Sequence, residues 1–260
     1  MLNPKEKCAI FLDIDGTLLA DSFIIPQGNL DAIAAARAKG HLVFVNTGRS
    51  LGNIPPVLMN QIKDFDGIIA GIGAIIIING EVKADDSFSP DLVRRVLDYF
   101  LLHEEYWALF EGRKNVYDVA IGKNKCQPYA IPIESAEDFN KILESDDEIQ
   151  VIAMGKTVPD EFKELFKNEL TVFQFDTYAD LVVKGRNKAT GIEKVLELTG
   201  VKRENTIAIG DSNNDYDMLT FAGVGVAMAN SQQSILDIAD YVTESNFNCG
   251  VGKAIENILL

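Results

Sequence analysis

Apolar and polar residues alternate in blocks along the first part of the chain. Residues 8–12 are apolar and stop at Asp13, residues 41–45 are apolar after the opening histidine, and a third run lies at 67–70. Short continuous apolar runs are typical of strands buried on both faces of a parallel sheet. Residues 28–39 carry apolar side chains at helical spacing before Gly40, which predicts a helix. This β-α-β order predicts a parallel sheet covered by helices.

The pattern changes between residues 80 and 183. Predicted helices alternate with short predicted strands, and none of these strands ends in an Asp or Thr-Gly motif of the kind found in the first part of the chain. We therefore expect an inserted α/β domain without catalytic residues of its own. Its predicted helices cover 90–102, 136–143 and 159–168, and its predicted strands cover 150–154 and 170–175.

The first pattern returns after residue 183. A predicted helix begins at Lys188 and ends at Gly200, and an apolar strand at 206–209 runs into Gly210-Asp211. Further predicted units lie at 224–227, 231–239 and 241–243, with a closing helix from 251. We expect a core domain formed by 1–79 and 184–260, with 80–183 inserted.

Composition limits the classes of function. The chain has 260 residues, 47% of them hydrophobic and 24% charged, which is typical of a globular protein with a sizeable core. A net charge of -15 disfavours nucleic acid and anionic membranes as partners. The apolar stretch 67–78 contains glycines and is too short to span a bilayer.

The cysteines and the N-terminus indicate the compartment. Cys8, Cys126 and Cys249 are odd in number and form no C-x-x-C pair, so neither a disulfide framework nor a zinc site is expected. The N-terminal apolar run is short and ends at Asp13, unlike a secretory signal. We expect a cytoplasmic protein.

Polar side chains follow three of the predicted core strands. The first strand is followed by Asp13 and Asp15, the second by Thr47-Gly48, and a later one by Asp211 and Asp215. The carboxyl ends of parallel strands open onto one ligand crevice. Carboxylates gathered there repel each other unless a cation or a shared proton offsets their charge.

This set of residues suits phosphoryl transfer. Asp13 and Asp211, with a backbone carbonyl, offer the hard oxygen ligands that Mg²⁺ prefers. Thr47 and nearby backbone amides can hold phosphate oxygens, and Lys188 adds a positive charge. One carboxylate can attack phosphorus to give an aspartyl phosphate.

Each of these motifs, taken alone, also has a simpler interpretation. Asp-Gly-Thr and Thr-Gly are ordinary turn residues, and a lone lysine at a helix start is commonly solvated. The acidic run from Asp211 resembles the start of a calcium-binding EF-hand loop. Tyr216 stands where that loop needs Gly and Ala222 where it needs Glu, so we exclude this interpretation.

Four motifs in order resemble those of the haloacid dehalogenase-like superfamily, and more narrowly of its Cof-type phosphatases. They comprise Asp13-x-Asp15-Gly16-Thr17, then Thr47-Gly48-Arg49, then Lys188, and finally Gly210-Asp211-x-x-Asn214-Asp215. The segment 226–230 and the segment 241–251 are also similar to that subgroup.

The resemblance implies a Rossmann-like three-layer α/β core and Mg²⁺-dependent hydrolysis of phosphate esters, with the insert as a cap. Asp13 would be the nucleophile and Asp15 the general acid and base. The phosphoryl group would be bound by Thr47, Gly48, Lys188 and Asn214. The metal would be held by Asp13, the Asp15 carbonyl and Asp211, with Asp215 supporting these ligands.

The expected substrates are small phosphorylated metabolites, sugar phosphates among them. A phosphomutase that uses the same intermediate is one alternative, and a non-catalytic protein that binds a phosphorylated metabolite is another. The chain departs from the subgroup at one point, because Ile72-Gly73-Ala74 replaces its usual Asn-Gly-Ala. We therefore expect the contact of that amide to be missing.

Overall fold

The computed structural model describes residues 2–21, 23–103, 105–119, 127–133, 135, 137–138, 140, 144 and 146–260. The helix predicted over 136–143 lies largely outside this range, and Cys126 lies wholly outside it. Contacts divide the chain into two compact units. The first comprises Met1–Gly48, Pro55–Ala84 and Asn187–Leu260, and the second Arg49–Ile54 and Asp85–Arg186. The predicted division at 79/80 and 183/184, which assigns the roles of catalytic core and cap, stays a prediction.

Strands and helices follow the apolar runs of the sequence closely. The described strands are β1 Ala9–Leu12, β2 Leu42–Asn46, β3 Gly67–Ala70, β4 Ile75–Ile78, β5 Glu81–Asp85, β6 Ala108–Gly112, β7 Val116–Val119, β8 Ile131–Pro132, β9 Ile149–Gly155, β10 Leu170–Gln174, β11 Tyr178–Val183, β12 Thr206–Gly210, β13 Val224–Ala227 and β14 Tyr241–Val242. The described helices are α1 Gln27–Ala38, α2 Pro56–Ile62, α3 Pro90–Leu102, α4 Asp160–Phe166, α5 Lys188–Thr199, α6 Tyr216–Phe221, α7 Gln233–Leu236 and α8 Gly250–Leu259.

The sheet of the first unit has the strand order β14-β13-β12-β1-β2-β3-β4-β5. From β14 to β3 all neighbouring strands are parallel, which confirms the predicted α/β class. The chain runs outward from β1 through β2 and β3, and later returns to β12 on the other side of β1. Such a reversal of strand order opens a crevice at the carboxyl ends of the strands.

The apolar run 67–78 forms two strands, β3 and β4, which pair antiparallel through a turn at 71–74. Strand β3 coincides with the strand predicted at 67–70. Gly71 and Gly73 both have positive φ in this turn, a conformation that glycine adopts without steric cost. The helix predicted over 231–239 is also shorter than expected and covers Gln233–Leu236.

The core of the first unit is packed between β1, β2 and α5. The rings of Phe11 and Phe44 stack with centroids 5.3 Å apart, and Ile192 and Val195 of α5 belong to the same buried cluster. Helix α5 is closed at both ends, by the Asn187 side chain at its N-terminus and by Gly200 in a left-handed conformation at its C-terminus. These features fix the first residue of α5, Lys188, in a buried position.

The sheet of the second unit has the strand order β10-β11-β9-β6-β7-β8 and is mostly antiparallel. One buried cluster joins this sheet to α3 and α4 through Phe100, Phe110 and Phe162. Strands β6, β7, β8 and β11 of this sheet were not predicted. Strand β8 has only two residues, and each of the other three contains an acidic residue (Glu111, Asp118 and Asp180) that interrupts its apolar pattern.

Among the helices of the described ranges, none combines the length and apolar character needed to cross a membrane.

Candidate active site

The site forms where β1, β2 and β12 end side by side. Asp13 follows β1, Thr47 follows β2 and Asp211 follows β12. The pairing of β1 with both β2 and β12 brings these three residues to one edge of the sheet. Backbone bonds continue past the strands, since Asp13 N donates to Ile209 O and Thr47 N donates to Ile69 O. The three strand tips are therefore held in register.

Lys188 lies between two carboxylates at this edge. Its Nζ is 2.6 Å from Asp13 Oδ1 and 2.5 Å from Asp215 Oδ1, and its side chain is fully buried. Asn46 holds the start of α5 in place, because its Nδ2 donates a hydrogen bond to Lys188 O at 3.1 Å. Asn46 was not among the predicted site residues. Its position at the carboxyl end of β2, directly before Thr47, is the signal that could have found it.

Burial and neighbouring charge set the ionisation of this group. Burial raises the pKa of Asp13 well above its ordinary 3.8, and the positive charge of Lys188 opposes that rise. Burial alone would lower the pKa of Lys188, but Asp13 and Asp215 outweigh burial and raise that pKa. Burial, and then the charge of Asp215, raises the pKa of Asp211 to about 6.

Asp215 is bound by donors on both of its oxygens. Its Oδ2 accepts hydrogen bonds from the backbone amides of Asp211 and Ser212 at 3.0 Å, and its Oδ1 accepts from Lys188. The Ser212 hydroxyl oxygen also lies 3.3 Å from Oδ2. Asp215 therefore shapes the loop after β12 and orients Lys188.

The turn after β1 brings Gly16 and Thr17 against Asp211. The Thr17 hydroxyl donates to Asp211 Oδ1 at 2.9 Å. Gly16 has a φ of +82°, and a Cβ at this position would lie 2.4 Å from Asp211 Oδ2. Only glycine satisfies both the backbone conformation and this close approach. Thr17 was not among the predicted site residues, although the Asp-Gly-Thr motif contains it.

The two aspartates of the first motif have different environments. Strand β1 ends at Leu12, and the chain then turns. Asp13, directly after the strand, is buried, whereas Asp15, within the turn, is exposed. The charge of Asp15 nevertheless raises the pKa of both Asp13 and Asp211, as the smallest contribution in each case.

The remaining predicted residues, Gly48 and Asn214, lie next to each other. A Cβ on Gly48 would be 3.3 Å from Asn214 Nδ2. The Asn214 Oδ1 accepts a hydrogen bond from the Ser212 hydroxyl at 2.9 Å, which leaves the amide nitrogen directed at Gly48. Thr47, Gly48 and Asn214 thus belong to the same edge as the carboxylates.

The donor set suits a divalent cation. Carboxylate oxygens of Asp13, Asp211 and Asp215 lie within 4.8 Å of one another. Asp13 and Asp215 are buried and Asp211 is partly buried; with Lys188 as the one cation bonded to them within the described ranges, the formal charge is 1 − 3 = −2. Buried negative charge of this size requires compensation, and all the available ligands are hard oxygens.

Comparison with known proteins identifies the family. The profile of the haloacid dehalogenase-like hydrolases matches residues 10–255. The chain belongs to this family. The family and the fold class predicted from the four motifs are therefore confirmed, and at the level of enzyme class the chain is a phosphatase of the haloacid dehalogenase type.

Two relatives and one solved structure illustrate the similarity. The chain is 32% identical to the 5-amino-6-(5-phospho-D-ribitylamino)uracil phosphatase YcsE of Bacillus subtilis, over 96% of this chain and 95% of the relative. It is 27% identical to YitU, a phosphatase of the same description from the same organism, over 95% and 96% of the two chains. The structure of the sugar phosphatase BT4131 superposes with a TM-score of 0.78 at 26% identity, covering 96% of this chain and 98% of that chain.

Proposed function

We propose that this protein is a Mg²⁺-dependent phosphatase that hydrolyses small phosphorylated metabolites through an aspartyl phosphate on Asp13. The observation that carries the proposal is the contact of Lys188 Nζ with Asp13 Oδ1 at 2.6 Å, within a group of three carboxylates. A nucleophilic carboxylate must be ionised, and the adjacent Lys188 stabilises the ionised form of a buried Asp13.

The first half of the reaction transfers the phosphoryl group to the protein. A carboxylate oxygen of Asp13 attacks phosphorus, and the bond between phosphorus and the ester oxygen breaks. Asp15 donates a proton to the departing oxygen, which leaves as an alcohol. Thr47, the Gly48 amide and Asn214 bind the phosphoryl oxygens, and Lys188 offsets their charge.

The second half releases phosphate. Asp15, now a carboxylate, removes a proton from water, and the resulting nucleophile attacks phosphorus. The bond between phosphorus and Asp13 breaks, which regenerates the carboxylate and frees inorganic phosphate. The exposed position of Asp15 suits proton exchange with solvent, whereas the buried position of Asp13 suits a nucleophile protected from bulk water.

The metal would be held by Asp13, the Asp15 carbonyl and Asp211. Mg²⁺ bound there supplies positive charge next to the transferring phosphoryl group. Asp215 orients Lys188 and the Asp211 backbone, since its oxygens are already bound by donors.

We further propose that the inserted α/β unit acts as the cap that selects the substrate, and that the substrates are sugar and sugar-alcohol phosphates. This class is supported by two relatives described as 5-amino-6-(5-phospho-D-ribitylamino)uracil phosphatases and by a structural neighbour described as a sugar phosphatase. A 5-phosphorylated ribityl chain and a hexose 6-phosphate share a primary phosphate ester on a polyhydroxylated carbon chain.

A phosphate-release assay tests the proposal. The panel contains 5-amino-6-(5-phospho-D-ribitylamino)uracil, ribitol 5-phosphate, hexose 6-phosphates and a hexose 1-phosphate, each with Mg²⁺ or with EDTA. We expect release of inorganic phosphate with Mg²⁺, loss of release with EDTA, and loss of release in Asp13→Asn. Turnover in Asp13→Asn would refute the nucleophile, and conversion of the hexose 1-phosphate to its 6-phosphate isomer would identify a mutase instead.

A further inference from the structure

A short segment directly after the predicted phosphate-binding loop belongs to the second unit. The chain passes between the units at Gly48/Arg49, Ile54/Pro55, Ala84/Asp85 and Arg186/Asn187. The segment Arg49–Ile54 therefore begins two residues after Thr47, yet its contacts lie within the second unit. Whatever holds this segment also limits where Thr47 and Gly48 can lie, because the peptide chain joins them directly.

Two side chains of the second-unit sheet bind the backbone of this segment. Leu51 N donates to Gln150 Oε1 at 3.0 Å, and Ser50 N lies 3.5 Å from Glu111 Oε2. Gly52 packs against the turn between β6 and β7, where a Cβ would lie 2.7 Å from both Gly112 O and Asn115 N. The segment is thus held both by polar contacts and by close backbone packing.

The other two points where the chain passes between the units are Ala84/Asp85 and Arg186/Asn187. Arg186 connects both of them to Gln150. Arg186 Nη1 donates to Gln150 O at 3.0 Å, and Arg186 Nη2 donates to Asp86 O. Arg186 Nε also lies 3.5 Å from the Asp86 carboxylate. Leu51, Asp86, Gln150 and Arg186 therefore form one group, which we term the crossing cluster. Gln150 is the member that touches the segment after the loop.

The location of Gln150 is unfavourable for a glutamine. It is fully buried near the start of β9 and shares a face of that strand with Ile152 and Met154, which belong to the apolar core. Its Nε2 has no hydrogen-bond partner among the described residues. An apolar side chain would fill this place without leaving amide hydrogens unpaired. Within the described ranges, the one hydrogen bond of the Gln150 side chain is the bond it accepts from Leu51 N.

We propose that Gln150 is a positioning residue for the loop Thr47–Gly48. It binds the chain four residues after Thr47 and thereby sets where this loop presents its hydroxyl and amide groups. The inference rests on the proposed function, in which that loop binds the phosphoryl group of the substrate. Since substrate and inorganic phosphate share this group, loosening the segment weakens the binding of both.

Two variants and a control test the proposal in the full-length protein. Gln150→Met removes the acceptor of Leu51 N and keeps a side chain of similar size. Gly52→Ala pushes the same segment away from Gly112 and Asn115 without changing a polar group. Gln174→Met is the control for loss of a glutamine that binds the backbone of the second unit. Gln174 accepts a hydrogen bond from Val158 N at 3.1 Å, is exposed, and lies outside the crossing cluster.

For Gln150→Met and Gly52→Ala we expect KM, and the inhibition constant of inorganic phosphate, to rise in parallel by about tenfold or more, since small displacements of binding groups have effects of this order. The value of kcat should change much less, and Gln174→Met should keep the wild-type phosphate affinity. If Gln150→Met binds phosphate as tightly as the control, the positioning role is wrong.

Amide hydrogen exchange gives a second measurement that needs no substrate. We expect faster exchange within residues 49–54 in Gln150→Met but not in Gln174→Met, and unchanged exchange there would overturn the inference by itself. A wild-type protein that releases no phosphate from any substrate would instead refute the proposed function. The two failures are therefore distinguishable.

Discussion

Lys188 Nζ lies 2.6 Å from Asp13 Oδ1, although 175 residues separate the two in the sequence. Both side chains are buried, and the same ammonium group contacts Asp215. This contact joins the end of β1 to the start of α5. The positive charge of Lys188 stabilises the ionised form of the buried Asp13 carboxylate. The ion pair therefore serves the chemistry proposed for Asp13 and the stability of the site together.

Removal of this ammonium group should destabilise the metal-free protein. Lys188→Met leaves the buried carboxylates without their cation, and loss of one partner of a buried pair costs about 3 kcal/mol or more. The measurement is the free energy of unfolding in denaturant with EDTA present. Lys194→Met is the control, since Lys194 lies on the same helix and pairs with Glu197 at the surface. Equal losses in the two variants would contradict the buried charge balance.

The pH dependence of Lys188→Met follows from the same contact. Burial already raises the folded-state pKa of Asp13 above 3.8, and without Lys188 that pKa rises further. A carboxyl group with a raised folded-state pKa binds more protons in the folded state, so its stabilising contribution is present at low pH and is lost as pH rises through that pKa. We therefore expect the deficit of the variant to be smaller at pH 5 than at pH 7.5.

Asp15 should control the rate more than the binding of substrate. If it donates the proton to the leaving group, Asp15→Ala slows hydrolysis of an alkyl phosphate by about 10² or more. An aryl phosphate with a good leaving group needs little protonation, so its phosphoryl transfer to Asp13 should be slowed less. A burst of the phenol in Asp15→Ala, followed by slow release of phosphate, would support both proposed roles. If Asp15→Ala hydrolyses both the alkyl and the aryl phosphate at the wild-type rate, both proposed roles are wrong.

The strand tips of the site could be predicted from the sequence, because apolar runs stop where Asp13, Thr47 and Asp211 stand. The direct contact of Lys188 with Asp13 and Asp215 could not. A lysine at a helix start is ordinarily solvated, and its burial here depends on Asn46 and on the packing of α5 across the sheet. Asp13 and Asn46 both lie more than 100 positions from Lys188 in the sequence, and local patterns do not encode such contacts.

The second unit was less predictable for a different reason. Glu111 and Asp118 are buried acidic residues within β6 and β7, so the apolar alternation that marks a strand is interrupted in both. Asp118 accepts a hydrogen bond from Gln127 N, and Glu111 lies close to Ser50 N. Ser50 lies 61 positions from Glu111 and Gln127 lies 9 positions from Asp118, so both partners fall outside the two-residue period of a strand and the sequence pattern does not reveal them.

His41 should make stability depend on pH. Its Nδ1 accepts a hydrogen bond from Cys8 N at 3.2 Å, and burial lowers the pKa of His41 below 6.5. The unfolded state then binds a proton at a higher pH than the folded state, so the contribution of His41 is full above about pH 6.5 and is lost as pH falls through the lowered pKa. We expect the free energy of unfolding of His41→Gln to decline less between pH 7.5 and 5 than that of the wild type. His103→Gln keeps this contact and should retain the wild-type decline; the same decline in both variants would contradict the assignment.

Ile72 is held in a backbone conformation that branched side chains avoid. It has a φ of +54° between Gly71 and Gly73, and its amide donates to Thr47 O at 3.1 Å. A left-handed conformation costs a non-glycine residue about 1–2 kcal/mol, whereas full burial of an isoleucine contributes about 1.5–3 kcal/mol. The buried side chain therefore offsets the strain.

Two substitutions at Ile72 separate strain from burial. Ile72→Ala loses most of the buried area and keeps the strain, whereas Ile72→Gly loses slightly more area and removes the strain. We expect the glycine variant to be the more stable of the two by about 1 kcal/mol, measured as the free energy of unfolding. The matched pair is Ile76→Ala and Ile76→Gly in β4, where the residue is also buried but extended, and where alanine should be the more stable. If the alanine variant has the higher free energy of unfolding at both positions, the turn next to Thr47 carries no strain.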